Sequence, residues 1–370
     1  MSFIVLFAQP IPGANNLDAY FNLIKGKRVG LVVNQTSNIN QTHLVDTLKK
    51  SGINIVRIFG PEHGFRGNAD AGEHINNDTD AKTGIPVVSL YGKNKKPTSE
   101  QVSDLDIILF DIQDVGVRFY TYISTLHHVM EACAENNKLL IVLDRPNPNG
   151  MYIDGPVLDT TYKSFVGMHP VPIVYGMTIG EYAQMIKGEK WIKSASGLNL
   201  KVINCNNYTH NSKYNLPIKP SPNLPNALSI ALYPSLCLFE GTNVSVARGT
   251  QFPFQAIGYP DSTFGSFYFI PESIEGMSKD PMHKGKKCYG MDLRNSKIKY
   301  EFTLKYVIDF YSKSSKKELF FNNFCIKLIG DKVTLDAIIN AIPESEIKKM
   351  WQPGIINFKS YRQKYLLYPE

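Results

Sequence analysis

Short apolar segments of strand length alternate with helical patterns through the first two-thirds of this 370-residue chain. The apolar segments occupy residues 28–34, 54–59, 86–90, 106–111, 138–144 and 198–204, and helical patterns occupy residues 43–51, 122–136 and 178–187. The strand segments are apolar almost throughout, as expected when both faces of a sheet are covered. Thr178 and Glu181 have the spacing of a capping box at the start of the last helix. This order predicts a Rossmann-like α/β fold with an open, doubly wound, mostly parallel sheet.

A proline-rich stretch divides the chain. Residues 217–225 contain four prolines in nine positions, which is typical of an extended connector. Beyond it, residues 232–240 and 241–259 are rich in glycine, threonine and aromatic side chains, which favours strands and loops. Residues 301–312, residues 334–341 and the tail from Glu344 are predicted to be helical. We therefore predict a Rossmann-like domain over residues 15–220 and a smaller α+β domain over residues 226–370.

The composition excludes several classes of protein. Hydrophobic residues make up 43% of the chain and charged residues 20%, as in ordinary globular proteins. The net charge of +7 is modest for this length, and no basic-aromatic motif indicates a nucleic-acid partner. Five dispersed cysteines argue against a disulfide framework and against a structural zinc site. No apolar run approaches the ~20 residues that a membrane span needs.

The N-terminal segment is apolar at residues 3–8 (FIVLFA) and is followed by Gln9 and Pro10. This pattern matches the end of the apolar region of a signal peptide. It predicts an exported protein, located in the periplasm or at the cell surface. A short first strand or a docked terminus is the alternative interpretation.

Polar clusters follow four of the predicted strands. They are Asn-Gln-Thr at residues 34–36, Gly-Pro-Glu-His-Gly at 60–64, Asp-Ile-Gln-Asp at 111–114 and Asp-Arg-Pro-Asn at 144–147. In an open parallel sheet, ligands bind outside the carboxyl ends of the strands. We therefore predict that the four clusters meet at one edge of the sheet and form the site. No nucleotide-binding glycine motif, GxSxG serine motif or HExxH zinc motif occurs in the chain.

The second cluster continues as GPEHGFRG at residues 60–67 and is followed by AGE at residues 71–73. A carboxyl group beside an imidazole and a guanidinium is suited to general acid–base catalysis, and the glycines allow a ligand to approach the backbone. Two other interpretations stay open from local sequence. Glu62 and Arg66 could simply pair across a turn. Alternatively, a metal could bind to His63, Asp70, His74 and Asp78. The spacing of these residues is not diagnostic of a metal site.

The third cluster extends to residue 122 as DIQDVGVRFYTY. It offers hydrogen-bond acceptors, one guanidinium and two aromatic rings, on Asp111, Gln113, Asp114, Arg118, Tyr120 and Tyr122. This mixture suits a sugar, which needs hydrogen bonds to its hydroxyl groups and a flat surface for its ring. Core aromatics with an ordinary ion pair are the alternative. The fourth cluster continues to Gly150, although Pro-Asn-Gly is also typical of a plain turn.

Taken together in this order, these segments resemble those of the NamZ-type exo-β-N-acetylmuramidases, which act in bacterial cell-wall recycling. The resemblance extends from about Leu17 to Tyr368 and rests on residues 59–67, 71–73, 89–92, 111–122, 143–150, 154–156 and 232–254. It implies a Rossmann-like domain that holds the catalytic cleft and a smaller domain that closes over it. It also implies release of N-acetylmuramic acid from the non-reducing ends of peptidoglycan fragments, without a metal or nucleotide cofactor.

The resemblance also implies roles for individual residues. Glu62 is the leading catalytic acid, and Glu73 is the second carboxyl to test. The candidate partners of the lactyl carboxylate, which N-acetylglucosamine lacks, are Arg118, Arg145 and Arg248, and Arg118 is preferred over Arg248. Substrate contacts are expected from Asn34, His63, Arg66, Asp111, Gln113, Asp114, Arg118, Tyr120, Tyr122, Asp144, Arg145, Asn147, Glu240, Thr242, Asn243 and Arg248.

Several questions stay open at the level of sequence. Retaining, inverting and substrate-assisted hydrolysis are all compatible with the pattern. Two functions from other classes are alternatives, namely a non-catalytic sugar- or muropeptide-binding protein and a peptidoglycan amidase, which would usually need a metal.

Overall fold

A computed structural model describes residues 9–62, 64–65 and 78–370 of the chain. The apolar segment at residues 3–8, interpreted as a signal-peptide remnant, lies outside the described residues. So do His63, Arg66 and Glu73 of the predicted site, and Asp70 and His74 of the alternative metal site. The fold and the site below are built from the rest of the chain.

The strands of the first domain lie where the apolar segments predict them. In chain order they are β1 (Arg28–Val33), β2 (Asn38–Ile39), β3 (Thr42–His43), β4 (Asn54–Gly60), β5 (Asp78–Thr79), β6 (Pro86–Ser89), β7 (Ile107–Asp111), β8 (Leu139–Leu143) and β9 (Asn199–Ile203). β2 and β3 form a separate hairpin, and the others form a seven-stranded sheet in the order β5-β6-β4-β1-β7-β8-β9. All neighbours in this sheet are parallel except β5 and β6. The predicted fold class is confirmed.

The strand order reverses at the centre of the sheet. β1 pairs with β4 on one side and with β7 on the other. Crossover connections that leave such a point in opposite directions open a crevice at the carboxyl ends of the strands. The residues that follow β1, β4 and β7 therefore border one crevice, as the sequence predicted.

Helices cover both faces of the sheet. In chain order they are α1 (Phe21–Ile24), α2 (Leu44–Lys50), α3 (Ser99–Ser103), α4 (Tyr122–Glu135) and α5 (Ile179–Gly188). α1 and α2 share an apolar cluster with one face, whereas α3, α4 and α5 belong to the cluster on the other. The predicted capping box begins α5, since Thr178 Oγ1 accepts from the Glu181 amide at 3.2 Å and the Glu181 carboxylate accepts from the Thr178 amide at 2.9 Å. Covering both faces explains why the strands are apolar throughout.

The second domain is smaller and mixed. It contains α6 (Ala227–Leu236), β10 (Ala256–Tyr259), β11 (Phe267–Phe269), β12 (Cys288–Asp292), α7 (Lys305–Lys313), α8 (Cys325–Ile329), α9 (Lys332–Ile339) and α10 (Glu344–Arg362). Its strands form an antiparallel sheet in the order β10-β12-β11. The prediction of a smaller α+β domain is confirmed, and α7, α9 and α10 lie where helices were predicted.

One prediction for this domain is wrong. Residues 232–240 were expected in strands and loops, but α6 continues to Leu236 and a 3₁₀ helix covers Cys237–Gly241. α6 is rich in apolar residues on several sides and contains Pro234, so its sequence lacks the polar stripe of a surface helix. An apolar run of this kind cannot be distinguished from a strand by its periodicity.

The two domains share an apolar core. One cluster of buried side chains runs from the sheet face under α4 and α5 to α6, α8 and α10. The C-terminal residues return to the first domain, where the Tyr368 hydroxyl donates to Asp144 Oδ2 at 2.6 Å and the Tyr361 hydroxyl donates to the carbonyl of Pro170 at 2.9 Å. All five cysteines are buried free thiols. In the described ranges, we find no helix with the length and apolarity that crossing a membrane requires.

Candidate active site

A cavity of about 900 Å³ opens where the crevice of the sheet meets the second domain. This volume is at the upper end of the ~300–1,000 Å³ that small-molecule sites occupy. Polar side chains on its wall include Glu62, Lys95, Thr121, Ser221, Glu240 and Arg248. Aromatic side chains include Tyr91, Phe119, Tyr120, Tyr122, Tyr233 and Phe254. Residues 277–282 of the second domain complete this part of the wall.

Glu62 enters the cavity from the loop that follows β4. Its Oε2 accepts a hydrogen bond at 2.8 Å from the hydroxyl of Thr121, the residue that precedes α4. Tyr91, close to the end of β6, hydrogen-bonds to the same carboxylate, and burial together with the charge of Glu62 raises the pKa of Tyr91. The ends of two neighbouring parallel strands and the start of α4 therefore position Glu62.

Two tyrosines lie beside this carboxylate. The rings of Tyr120 and Tyr122 meet edge to face, with their centroids 4.9 Å apart. Asn34, which follows β1, donates from Nδ2 to the Tyr122 hydroxyl at 3.0 Å. Burial is the main cause that raises the pKa of Tyr122, and the negative charge of Glu62 adds to it. The Tyr122 hydroxyl therefore stays neutral. The clusters that follow β4 and β7 thus line one cavity, whereas Asn34 is buried behind Tyr122 and is not among the residues that line it.

The second domain brings another carboxylate to the cavity. Glu240 Oε1 accepts from Nε of Arg248 at 2.8 Å and from Nη2 of Arg248 at 2.6 Å. The Arg248 guanidinium also lies 5.1 Å from the centre of the Phe254 ring. Burial lowers the pKa of Arg248, but Glu240 raises it, so that the pKa lies above its ordinary value. The charges of this pair offset each other at the wall of the cavity.

Arg118 lies away from the cavity, and its placement contradicts its predicted role. The side chain is fully buried. Nη1 donates to the carbonyls of Pro156 and Val171, both at 2.8 Å, and Nη2 donates to those of Leu328 at 3.0 Å and Ile329 at 2.6 Å. These bonds tie the second domain to the first. Arg118 is therefore a structural residue, and the prediction that it binds a lactyl carboxylate is wrong.

Asp111, Asp144 and Arg145 are also buried at the edge of the sheet. Arg145 pairs with Asp111 through two bonds, Nε to Oδ1 at 2.6 Å and Nη2 to Oδ2 at 2.9 Å. Asp144 accepts from the Gly180 amide and the Thr178 hydroxyl, both at 2.7 Å. Burial raises the pKa of Asp144 to about 6. None of the three lines the cavity, although the sequence predicted all three as substrate contacts.

Asp114 lies behind the cavity wall. Its Oδ2 accepts from the Gly116 amide at 2.6 Å and from the Tyr175 hydroxyl. Burial raises the pKa of Asp114 to about 7, against the lowering effect of the Tyr175 hydrogen bond. Asp114 thus stabilises the turn that leads to Tyr120, and it does not line the cavity.

The remaining predicted contacts hold loops in place. Gln113 Nε2 donates to the carbonyl of Pro146 at 2.7 Å, and Asn147 Nδ2 donates to a backbone carbonyl at 2.8 Å. Thr242 is buried in a turn, where its hydroxyl donates to a backbone carbonyl at 2.8 Å. Asn243 accepts through its backbone carbonyl from a histidine ring at 2.6 Å. These four side chains are not among those that line the cavity.

The structure adds cavity residues that the sequence did not single out, among them Tyr91, Lys95, Thr121 and Phe165. Tyr91 lies just beyond β6, so applying the rule on strand ends to this strand would have identified it. Thr121 lies between the two predicted tyrosines. Lys95 and Phe165 lie in loops that carry no recognisable pattern, and only the fold brings them together.

Potential metal ligands cluster elsewhere. Within the described residues, the one group of three that lies within ligand reach is His127, His128 and Glu131 on α4. None of them lines the cavity. His127 Nδ1 is hydrogen-bonded to His169 Nε2 at 2.9 Å. Asp78, the described member of the metal site considered from sequence, is exposed in β5.

Fold and cavity together define a two-domain α/β protein whose crevice presents carboxylates and aromatic rings to a small polar ligand. The N-terminal and C-terminal models of the exo-β-N-acetylmuramidase NamZ family match residues 29–228 and 231–368. The chain therefore belongs to the NamZ family. It is 38% identical to the peptidoglycan β-N-acetylmuramidase NamZ of Bacillus subtilis, over 95% of this chain and 89% of that protein.

Two crystal structures of DUF1343 family proteins from Bacteroides fragilis have the same fold. One is 44% identical to this chain, with a TM-score of 0.91, and the match covers 98% of this chain and 100% of the other. The second is 28% identical, with a TM-score of 0.82, and the match covers 97% and 99% of the two chains.

Proposed function

We propose that this protein is an exo-acting glycosidase that releases N-acetylmuramic acid from the non-reducing ends of peptidoglycan fragments. Family membership supports this activity, as does the similarity to the Bacillus subtilis β-N-acetylmuramidase. The observation that carries the mechanism is the Glu62 carboxyl group, which lines an aromatic-walled cavity at the switch point of the sheet. The cavity has the volume for a sugar and part of its neighbour.

In this mechanism, Glu62 is the general acid that protonates the glycosidic oxygen as the bond to C1 breaks. The Thr121 hydroxyl, at 2.8 Å, orients the carboxyl group, and the Tyr91 hydroxyl adds a second hydrogen bond. The aromatic rings around Glu62 provide flat surfaces for a pyranose ring. Attack at C1 then follows by water, by a second carboxylate or by the 2-acetamido oxygen of the substrate.

The decisive experiment compares two leaving groups. Glu62→Gln is expected to lower kcat about 10²–10⁴-fold on a disaccharide that begins with N-acetylmuramic acid. The loss should be much smaller on the nitrophenyl N-acetyl-β-muraminide, because a nitrophenolate departs with little need for a proton. Chromophore release and product chromatography measure the two rates.

Glu100→Gln is the matched control, since Glu100 is an exposed carboxyl on α3 outside the cavity. This variant should retain the wild-type rates on both substrates. Equal large losses on both substrates for Glu62→Gln would assign Glu62 to attack at C1 rather than to proton donation. Near-normal rates from a folded Glu62→Gln protein would refute any catalytic role. Proton NMR of the first anomer released separates inversion from retention.

We also propose that the protein is exported, to the periplasm or the cell surface. The support is the apolar run at residues 3–8, followed by Gln9 and Pro10, which matches the end of a signal-peptide apolar region. Fractionation of the producing cells, with N-terminal sequencing of the protein recovered, tests this location. Recovery of the protein in the cytoplasm with residues 1–10 intact would refute it.

A further inference from the structure

Three positively charged side chains line the described part of the cavity wall: Lys95, Arg248 and Lys279. Arg248 is paired with Glu240 through two hydrogen bonds. Lys279 lies next to Asp280, which lines the same part of the wall. Lys95 differs from Arg248, because it forms no ion pair with any residue the structure describes. Its ammonium group instead lies 4.5 Å from the centre of the Phe165 ring.

The fold holds this ammonium group at the cavity. Three lysines, at positions 93, 95 and 96, lie in the loop between β6 and α3. Lys96 is fixed to α4, because its Nζ lies 3.1 Å from Glu131 and 2.9 Å from Glu135. Lys93 is exposed to solvent. Because Lys96 anchors the loop to α4, Lys95 lies at the cavity wall, whereas Lys93 lies outside the cavity.

Phe165, which the ammonium group covers, is itself held firmly. Its ring stacks on His128, with the centroids 6.1 Å apart and an interplanar angle of 13°. Its backbone carbonyl accepts a hydrogen bond from the Ser124 hydroxyl at 2.7 Å. Both partners belong to α4, the helix that also anchors Lys96. A cation over a fixed aromatic face loses less freedom on binding an anion than a lysine in solvent does.

Lys95 also lies on the same wall as the catalytic carboxyl group. The Phe165 ring lies 6.4 Å from that of Tyr91, and Tyr91 hydrogen-bonds to Glu62. N-acetylmuramic acid differs from N-acetylglucosamine by a lactyl ether at O3, which carries a carboxylate and a methyl group. When the pyranose ring of N-acetylmuramic acid lies with its C1 at Glu62, its lactyl group extends along the cavity wall. A cation there would pair with the lactyl carboxylate, and an apolar surface beside it would contact the lactyl methyl group.

We propose that Lys95 binds the lactyl carboxylate of the muramic acid residue that is cleaved, while Phe165 contacts the lactyl methyl group. This assignment rests on the proposed glycosidase function and makes Lys95 a specificity-determining residue of that site. A charged hydrogen bond favours its partner roughly 10–150-fold. Lys95 is only half-buried, so solvent screening reduces the expected preference to about 5–50-fold.

The test measures kcat/KM of Lys95→Met on nitrophenyl N-acetyl-β-muraminide and on the matching glucosaminide. The muraminide value should fall about 5–50-fold, whereas the glucosaminide value should change little. Competitive inhibition gives an independent readout, because the inhibition constant of free N-acetylmuramic acid should rise by a similar factor and that of N-acetylglucosamine should not. Lys95→Arg should retain most of the preference, since it keeps the charge.

Two further variants make the comparison specific. Lys93→Met removes a neighbouring exposed charge and should match the wild type on both substrates. Lys279→Met removes the other lysine of the wall and should not alter the ratio between the two sugars. On the carboxamide analogue of the muraminide, which lacks the lactyl charge, wild type and Lys95→Met should have equal rates. Higher salt should weaken the muraminide preference of the wild type and leave Lys95→Met unaffected.

Some results with these variants would contradict the role of Lys95. Equal losses on both sugars for Lys95→Met, or a selective loss for Lys279→Met alone, would overturn the assignment of Lys95. An unchanged ratio for Lys95→Met would also overturn it. A wild-type protein that releases no chromophore from the muraminide would instead refute the proposed function itself, before any variant is compared.

Discussion

Replacing Arg118 by methionine tests whether this arginine supports the fold or the substrate. The guanidinium is fully buried and donates four hydrogen bonds of 2.6–3.0 Å to backbone carbonyls of both domains. Methionine has a similar length and an apolar end, so Arg118→Met removes the four bonds with little change in volume. It leaves three of the four carbonyls without a donor, since the carbonyl of Val171 also accepts from the Leu158 amide at 3.1 Å.

The magnitude follows from these bonds. A buried polar group left unpaired costs about 1–3 kcal/mol, so three such groups give an upper range of roughly 3–9 kcal/mol. Part of this cost is offset, because burial disfavours the charged guanidinium and lowers the pKa of Arg118 to about 9. We expect Arg118→Met to lower the free energy of unfolding by about 3–6 kcal/mol, a large share of the ~5–15 kcal/mol that domains have.

Urea unfolding followed by circular dichroism measures this loss, and kinetics on the two nitrophenyl sugars measure specificity. Arg118→Lys should be intermediate in stability, since an ammonium group has three donors and cannot span the same four carbonyls. The fraction of Arg118→Met that folds should keep the wild-type ratio of muraminide to glucosaminide cleavage. Wild-type stability together with a selective loss on the muraminide would refute this reasoning and restore Arg118 as a substrate contact.

Two further predictions concern metals and pH. Activity should survive EDTA, because the described ligand group at His127, His128 and Glu131 does not line the cavity; loss on chelation with recovery on adding zinc would support a metal site instead. Asp114 has a folded pKa of about 7, above its ordinary value of 3.8, so only the unfolded chain ionises it between these values. The free energy of unfolding should therefore decrease through this group as the pH rises from about 4 to 7. In urea titrations at several pH values, Asp114→Asn should show a smaller decrease over this range. An identical pH profile for Asp114→Asn would count against the raised pKa.

Sequence reasoning located the strands and the edge of the sheet that bears the site. Strand segments predicted from apolar runs agree with β1, β4, β7 and β8 to within about a residue at each end. The rule that ligands bind at strand ends brought Glu62, Tyr120 and Tyr122 to one cavity. These successes share a cause, because both the apolar pattern and the position after a strand are local properties of the chain.

The direction of a side chain was not predictable in the same way. Arg118 and Tyr120 are two residues apart, yet the first joins the domains and the second lines the cavity. Asp111 and Arg145 were expected at the substrate, but they pair with each other in the interior. A charged residue near a strand end can meet either a ligand or another loop, and the local sequence is the same in both cases.

The sequence by itself therefore determined the α/β class, the presence of a second domain and the position of Glu62, the proposed general acid, after a strand of the sheet. Only the tertiary structure decided which groups surround that carboxyl. Thr121 and Tyr91 reach Glu62 from separate elements, and Glu240 with Arg248 comes from the second domain. The physical reason is that strand formation depends on patterns within a few residues, whereas a cavity is built from side chains that are far apart in the chain and become neighbours only when the core has packed.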